Sequence, residues 1–135
     1  MSQFNIVKAL RTKLESLGLS IPLQYPNFKE EDPNAAPAGS VTFHFNQPSV
    51  ATLGESGDDN HDGFMQILLK YPIGGGDKEI MEMADTIRQG FVAGFKCQYG
   101  SQEVTILSCG VGLFDHLDDK FVTPITINWY ARTRR

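Results

Sequence analysis

A strand, a glycine turn and a helix follow one another between residues 65 and 95, and this unit constrains the fold most. Apolar and polar residues alternate from Met65 to Tyr71, which is the pattern of a strand with one buried face. Pro72 and the glycines at 74–76 end the strand, because proline donates no ladder hydrogen bond and glycine favours no regular element. Asp77 can cap the helix that follows. The apolar stripe of that helix recurs every three or four residues and comprises Ile80, Ala84, Ile87, Phe91 and Phe95.

The glycine turn does not match a phosphate-binding loop. Such a loop places Lys and Ser or Thr after its last glycine, where they bind phosphate and magnesium. Here Gly76 is followed by Asp77, Lys78 and Glu79, so the hydroxyl is missing and two carboxylates lie where an anion would bind. We interpret the segment as a tight turn before a capped helix, and we predict no cofactor.

Length and composition indicate one domain, covering residues 1–135. No apolar run approaches the roughly 20 residues needed to cross a membrane, and no signal peptide is predicted at the amino terminus. Without a secretory signal, Cys97 and Cys109 are expected to be reduced thiols. The net charge of −4 argues against nucleic acid as the main partner, although Arg132, Arg134 and Arg135 form a local basic cluster.

The remaining periodic segments predict one more helix and four more strands. Ser2 can cap a first helix, and strands are expected at Ile21–Tyr25, Val41–Phe45, Val104–Cys109 and Phe121–Arg132. Pro124 places the last of these strands at a sheet edge or at a bulge. The predicted fold class is α+β, with two helices packed on one face of an antiparallel or mixed sheet of about five strands. We expect the helices to dock through Leu10, Leu14, Ile80, Ala84, Ile87 and Phe91.

Two long acidic loops are predicted at residues 27–38 and 47–62. Loops of this length are unusual in so small a domain, and they are polar, so they offer little apolar surface to offset the entropy of ordering. We therefore expect them to be mobile in a free subunit and ordered by partners.

Two metal-site hypotheses compete with the simpler interpretation of a solvated acidic surface. Residues 58–63 match the opening of a calcium loop, but Leu69 occupies the position of the bidentate glutamate. A hydrolase could gather His61, Asp62, His116 and Asp118, yet no metal-ligand spacing supports it. No activated nucleophile is evident either. We predict no catalytic residues and no metal, and hence no enzyme.

The order of landmarks along the chain resembles the tail terminator proteins of long-tailed, lambda-like bacteriophages. The resemblance begins with the short amphipathic first helix and continues at Gln24–Phe28 and at Gln47–Ser49. Its most specific part runs from Gly63 to Gly76 and on to Ala84, Asp85 and Ile87 in the following helix. It ends with the strand from Phe121 to Trp129.

The resemblance implies a structural virion protein that is assembled in the host cytoplasm. It implies a homohexameric ring that caps the tail tube, stops its polymerisation and joins the tail to a head connector or neck protein, while DNA only passes through the channel. No membrane partner is implied. Another neck component, such as a head-completion or connector protein, remains an alternative, as does a small metal-dependent enzyme.

We assign particular residues to these contacts. An open strand edge at the carboxyl end would be a template for a neighbouring subunit. The expected subunit or partner contacts are Trp129, Tyr130, Arg132, Arg134 and Arg135. An acidic lining would repel DNA phosphate, and the candidate lining residues are Glu55, Asp58, Asp59, Asp115, Asp118 and Asp119.

Overall fold

The computed structural model describes residues 2–19, 21–25, 38–72, 78–112, 115–117 and 120–134. The helices are Ser2–Ser16 (α1) and Lys78–Gly90 (α2). The strands are Leu23–Gln24 (β1), Ala38–Phe45 (β2), Ser49–Val50 (β3), Asp58–Pro72 (β4), Lys96–Tyr99 (β5), Gln102–Val111 (β6), Asp115–Leu117 (β7) and Lys120–Arg134 (β8). The predicted α+β class is confirmed, although the sheet contains more strands than the five expected.

The sheet is built around one long antiparallel ribbon. Its strand order is β1-β2-β4-β8-β6-β5, while β3 pairs with β4 and β7 pairs with β8. Strands β4 and β8 pair over their whole length, from Asp58 opposite Arg134 to Pro72 opposite Lys120. Only β1 is parallel to its neighbour among the described pairs, so the sheet is mixed.

One face of the sheet and the two helices enclose the core. Along β4, side chains from His61 to Tyr71 alternate between buried and less buried positions, because successive strand residues point to opposite faces. The side chains expected to dock the helices are all buried, and this prediction is confirmed. The largest fully buried side chains are Trp129, Phe91, Ile6, Leu10, Leu14, Met65, Ile67, Leu69, Ile80, Ile87, Ile106 and Ile125.

Helix α2 is shorter than its apolar stripe suggests. It ends at Gly90, and Phe95 lies outside it with 37% of its surface exposed. Gly94 has a positive φ of 87°, a conformation that glycine adopts at little cost, and the Phe95 amide donates to the Val92 carbonyl in a turn. The chain then enters β5, which the sequence patterns did not predict.

The predicted edge position of the last strand is wrong. Strand β8 lies between β4 and β6, and its pairing with β4 runs through Pro124 without a bulge. The Pro124 carbonyl accepts from the Gly112 amide at 2.7 Å. In an antiparallel strand, the N and the C=O of one residue point toward the same neighbouring strand. The Pro124 nitrogen therefore points away from β4, as its carbonyl does. It faces the end of β6, just beyond the last pair of β6 with β8, Val111 opposite Ile125. The missing N–H therefore costs no hydrogen bond to β4.

Much of the second acidic loop is a strand. Strand β4 begins at Asp58, and residues 58–62 pair with β8, which supplies backbone hydrogen bonds that polar side chains do not disturb. Ser49–Val50 pairs with β4 as well, so the connection narrows to residues 51–57. The first predicted loop lies outside the described residues except for Ala38, which begins β2.

Both cysteines are free, as predicted. Burial raises the pKa of the Cys97 thiol to about 11, an effect that nearby Lys13 only partly opposes. Burial also raises the pKa of Cys109. Both groups are therefore protonated at neutral pH, which makes them poor nucleophiles.

Ile87→Ala should lower the free energy of unfolding by about 2–5 kcal/mol, because Ile87 is fully buried and its removal leaves a cavity. The measurement is the midpoint of urea denaturation. Gln89→Ala, at an exposed position of the same helix, is the control and should leave the midpoint nearly unchanged. Equal midpoints for Ile87→Ala and the wild type would mean that α2 does not pack through this side chain.

Candidate assembly surfaces

Most of the residues assigned to assembly lie at one end of the sheet, where β4 begins and β8 ends. We call it the distal end, and it comprises residues 49–62, 99–104 and 129–134. Across it the strands run in the order β3, β4, β8, β6, β5, because β3 takes the place beside β4 that β2 holds further along. The Gln102 side chain ties two of these strands together by donating to the Arg132 carbonyl at 3.2 Å.

Two residues assigned to different roles form an ion pair at the distal end. Arg132 Nε lies 3.4 Å from a carboxylate oxygen of Asp58, and the two side chains are 50% and 36% exposed. The strand register explains the contact, since Asp58 is opposite Arg134 and its diagonal neighbour is Arg132. An exposed pair of this kind stabilises by about 0–1 kcal/mol. The pair also offsets part of the charge that either side chain offers to a partner.

The other assigned contact residues differ in what they expose. The Tyr130 hydroxyl is partly buried and donates to Asn60 Oδ1 at 3.2 Å. Trp129 is fully buried, so its side chain offers no surface to a neighbouring subunit. Of Arg134 the structure describes only the backbone, and Arg135 lies outside the described residues.

Trp129 packs in a pocket that depends on a glycine. Its ring meets Phe45 edge to face, with centroids 5.1 Å apart. Gly63 lies opposite Trp129 on β4, and a Cβ there would overlap the His44 carbonyl and come within 3.0 Å of the indole. In the sequence, Gly63 stands out only as the first residue of the stretch from Gly63 to Gly76 that resembles tail terminators. Its structural role depends on a cross-strand neighbour that the sequence does not identify.

The strand geometry separates the residues of the metal hypothesis. His61 points into the core and is 7% exposed. Asp62 points outward, and its carboxylate accepts a hydrogen bond from the side-chain amide of Asn46 at 3.1 Å. His116 is described only by its backbone in β7, and Asp118 lies outside the described residues. In the part of the chain that the structure describes, no group of three or more His, Cys, Asp or Glu side chains could hold a metal ion.

Two buried polar atoms at the distal end lack hydrogen-bond partners among the described residues. They are His61 Nδ1 and Trp129 Nε1. Both side chains point to the core face of the ribbon, since His61 is opposite Ala131 and Trp129 is opposite Gly63. A buried polar atom without a hydrogen bond usually lowers the stability of the folded state by about 1–3 kcal/mol compared with one that has a partner. This part of the core therefore contributes less to stability than the rest.

The acids assigned to a channel lining divide between the two ends of the sheet. Glu55 is exposed in the 51–57 turn, and Asp58 and Asp59 are partly buried at the start of β4. Asp115, described only by its backbone, begins β7, opposite Val122 near the other end of β8. Val122 and Arg134 are twelve steps apart along the strand, which is about 40 Å. Asp118 and Asp119 lie outside the described residues.

Large apolar side chains are exposed on both flanks of the distal end. On the β3 side, Val50 is 61% and Leu53 is 90% exposed. On the β5 side, Phe4 is 65% and Tyr99 is 37% exposed, and their rings contact each other with centroids 6.4 Å apart. The strand and helix patterns gave no sign of these two groups, because exposure depends on where each element lies in the sheet.

No helix in the described ranges is long and apolar enough to cross a membrane.

Comparison with known proteins agrees with this architecture. Nine chains of solved structures match. One of them aligns with a TM-score of 0.73 at 20% sequence identity, over 97% of this chain and 96% of its own, which establishes a shared fold. No curated protein matches the sequence. The family model described as phage tail terminator protein matches residues 5–129. The resemblance noted in the sequence is thereby confirmed: the chain belongs to the phage tail terminator family, whose members are structural proteins of the bacteriophage tail.

Proposed function

We propose that this chain forms a ring, most simply a homohexamer, that caps the tail tube, stops its polymerisation and joins the tail to the head connector. The observation that carries the proposal is the family match over residues 5–129. Ring formation needs two different surfaces on each subunit that complement each other. The exposed apolar groups on opposite flanks of the distal end support such an arrangement.

In this proposal the protein acts by binding and carries out no catalysis. Its partners are further copies of itself, the tail tube protein and a neck protein, and its place is the virion after assembly in the host cytoplasm. DNA passes through the ring, and acidic side chains such as Glu55 keep phosphate from adhering to the channel wall. Arg132 and Arg134 contribute to protein contacts, with Arg132 already held by Asp58.

The proposed function is tested by electron microscopy of phage particles assembled without this gene product. Tail tubes of normal diameter but excessive length are the expected result, because nothing then ends polymerisation. Full heads without tails, beside tubes of normal length, would contradict the proposal and would assign the chain to another neck role.

A complementary measurement uses the purified protein. Mass photometry with and without tail tube protein should show a species several times heavier than the 15.0 kDa subunit, in solution or at tube ends. A chain that stays monomeric and does not bind tube ends would overturn the proposal.

A further inference from the structure

The distal end carries two open strand edges on opposite sides. Strand β3 is outermost on one side and β5 on the other, and in the part of the chain that the structure describes no strand pairs with the outer side of either. Both run antiparallel to their inner neighbours, so they point in the same direction along the sheet. An open edge is a template for main-chain pairing with another chain.

The two edges carry opposite charge. Residues 49–62, on the β3 side, include four acids and no Lys or Arg: Glu55, Asp58, Asp59 and Asp62. The β5 side consists of β5 and the helix α1 that packs against it. These elements contain the bases Lys8, Arg11, Lys13 and Lys96 and the single acid Glu15.

Ion pairs within the subunit reduce this contrast without removing it. Arg132 lies beside Asp58, Arg11 beside Glu15, and Lys96 lies 3.4 Å from Glu103 of β6. Arg11 and Glu15 pair with each other beside Tyr25, which follows β1 at the other end of the strand order, so they add no net charge to the β5 side. The remaining three bases, Lys8, Lys13 and Lys96, face the single acid Glu103, which leaves an excess of two positive charges. The β5 side is thus locally positive, although the net charge of the whole chain is −4. Opposite potentials of this kind steer two surfaces together and fix their register.

Each edge also presents apolar side chains beside its charges. Val50 and Leu53 lie on the acidic side, and Phe4 and Tyr99 lie on the basic side. Apolar and aromatic side chains surrounded by charged groups are typical of protein interfaces. Since both halves of a complementary contact occur on one chain, the partner that fits each half is another copy of the chain.

We propose that the β3 edge of one subunit, with its acidic turn, docks against the β5 edge and α1 of the next subunit. Such a contact is heterologous, because different surfaces meet, and repeated copies of it close into a ring when the rotation per subunit allows. The proposal rests on the proposed ring function and names the two surfaces that build the ring.

Two double variants test the pairing. Leu53→Gln with Glu55→Gln alters the β3 side, and Phe4→Gln with Lys96→Gln alters the β5 side. All four positions are exposed, so folding should be retained, which circular dichroism and thermal unfolding will check. Met81→Gln, at a position 44% exposed on α2, is the matched control for loss of apolar surface. The mass distribution of each protein is measured with and without tail tube protein.

Each double variant alone should lose the oligomeric species, while Met81→Gln should assemble like the wild type. A mixture of the two double variants should give dimers and no rings, because one intact β3 side can meet one intact β5 side and the chain of contacts then stops. Folded double variants that assemble like the wild type would overturn the proposed pairing while leaving the ring function intact. A wild type that never associates would overturn both.

Discussion

Trp129→Ala should lower the free energy of unfolding by about 3–5 kcal/mol, among the largest effects expected of a single change in this subunit. The side chain is fully buried, and its ring packs against Phe45, so truncation leaves a cavity bounded by rigid strands on both sides. Strand β8 cannot move to fill that cavity without disturbing its pairing with β4 and β6. Urea denaturation followed by circular dichroism measures the effect.

Tyr130→Phe is the control for Trp129→Ala. It removes only the hydroxyl that donates to Asn60, which should cost about 0.5–1.5 kcal/mol. If the two variants were equally stable, Trp129 would not be a core residue, and the face assigned to β8 would be wrong.

Gly63→Ala should destabilise the subunit by about 1–3 kcal/mol or more, through overpacking and not through a cavity. The added methyl group would overlap the backbone carbonyl of His44 on the neighbouring strand, and a backbone atom cannot move aside as a flexible side chain can. Strands β2 and β4 would therefore have to separate locally, where Phe45 pairs with Gly63.

Gly110→Ala is a matched control for this change. Gly110 also lies in a strand, but a Cβ there meets nothing within 4 Å. Alanine at such a site should be neutral or stabilise by about 0.4–1 kcal/mol, because it restricts the unfolded chain. Equal stability of the two variants in thermal unfolding would show that β2 and β4 can separate at Gly63 without cost.

Local pattern was sufficient where an element is defined by its own periodicity. Periodicity predicted the strand from Met65 to Tyr71 and the helical stripe from Ile80 to Ile87, because each of these regular elements buries one face in the core. Strand β5 was missed because Lys96–Tyr99 buries only Cys97 and shows little alternation of its own. It is a strand because the turn at Gly100 folds it back on β6.

The position of a strand within the sheet depends on distant residues and was not predictable from local pattern. Pro124 suggested an edge, yet β8 is interior, because the proline nitrogen faces the side where the β6 pairing ends and not the side of β4. Trp129 was assigned to a contact surface for the same reason. Adjacent strand residues such as Trp129 and Tyr130 must point to opposite faces, but which of the two faces the helices cover follows only from the complete sheet.

The pairing of β8 between β4 and β6 also sets the order in which the subunit can fold. Strands β5 and β6 form a local hairpin, but they join the rest of the sheet only through β8, the last element of the described chain. Contacts between β4 and β8 span about 50–75 residues of sequence, as from Pro72 to Lys120 and from Asp58 to Arg134, and such distant contacts form slowly. During synthesis, β1 to β6 therefore emerge before the strand that unites them. The β3 and β5 edges, which we propose bind other copies, become parts of one sheet only when β8 is in place. Self-association through both edges must therefore wait until the subunit is completely folded.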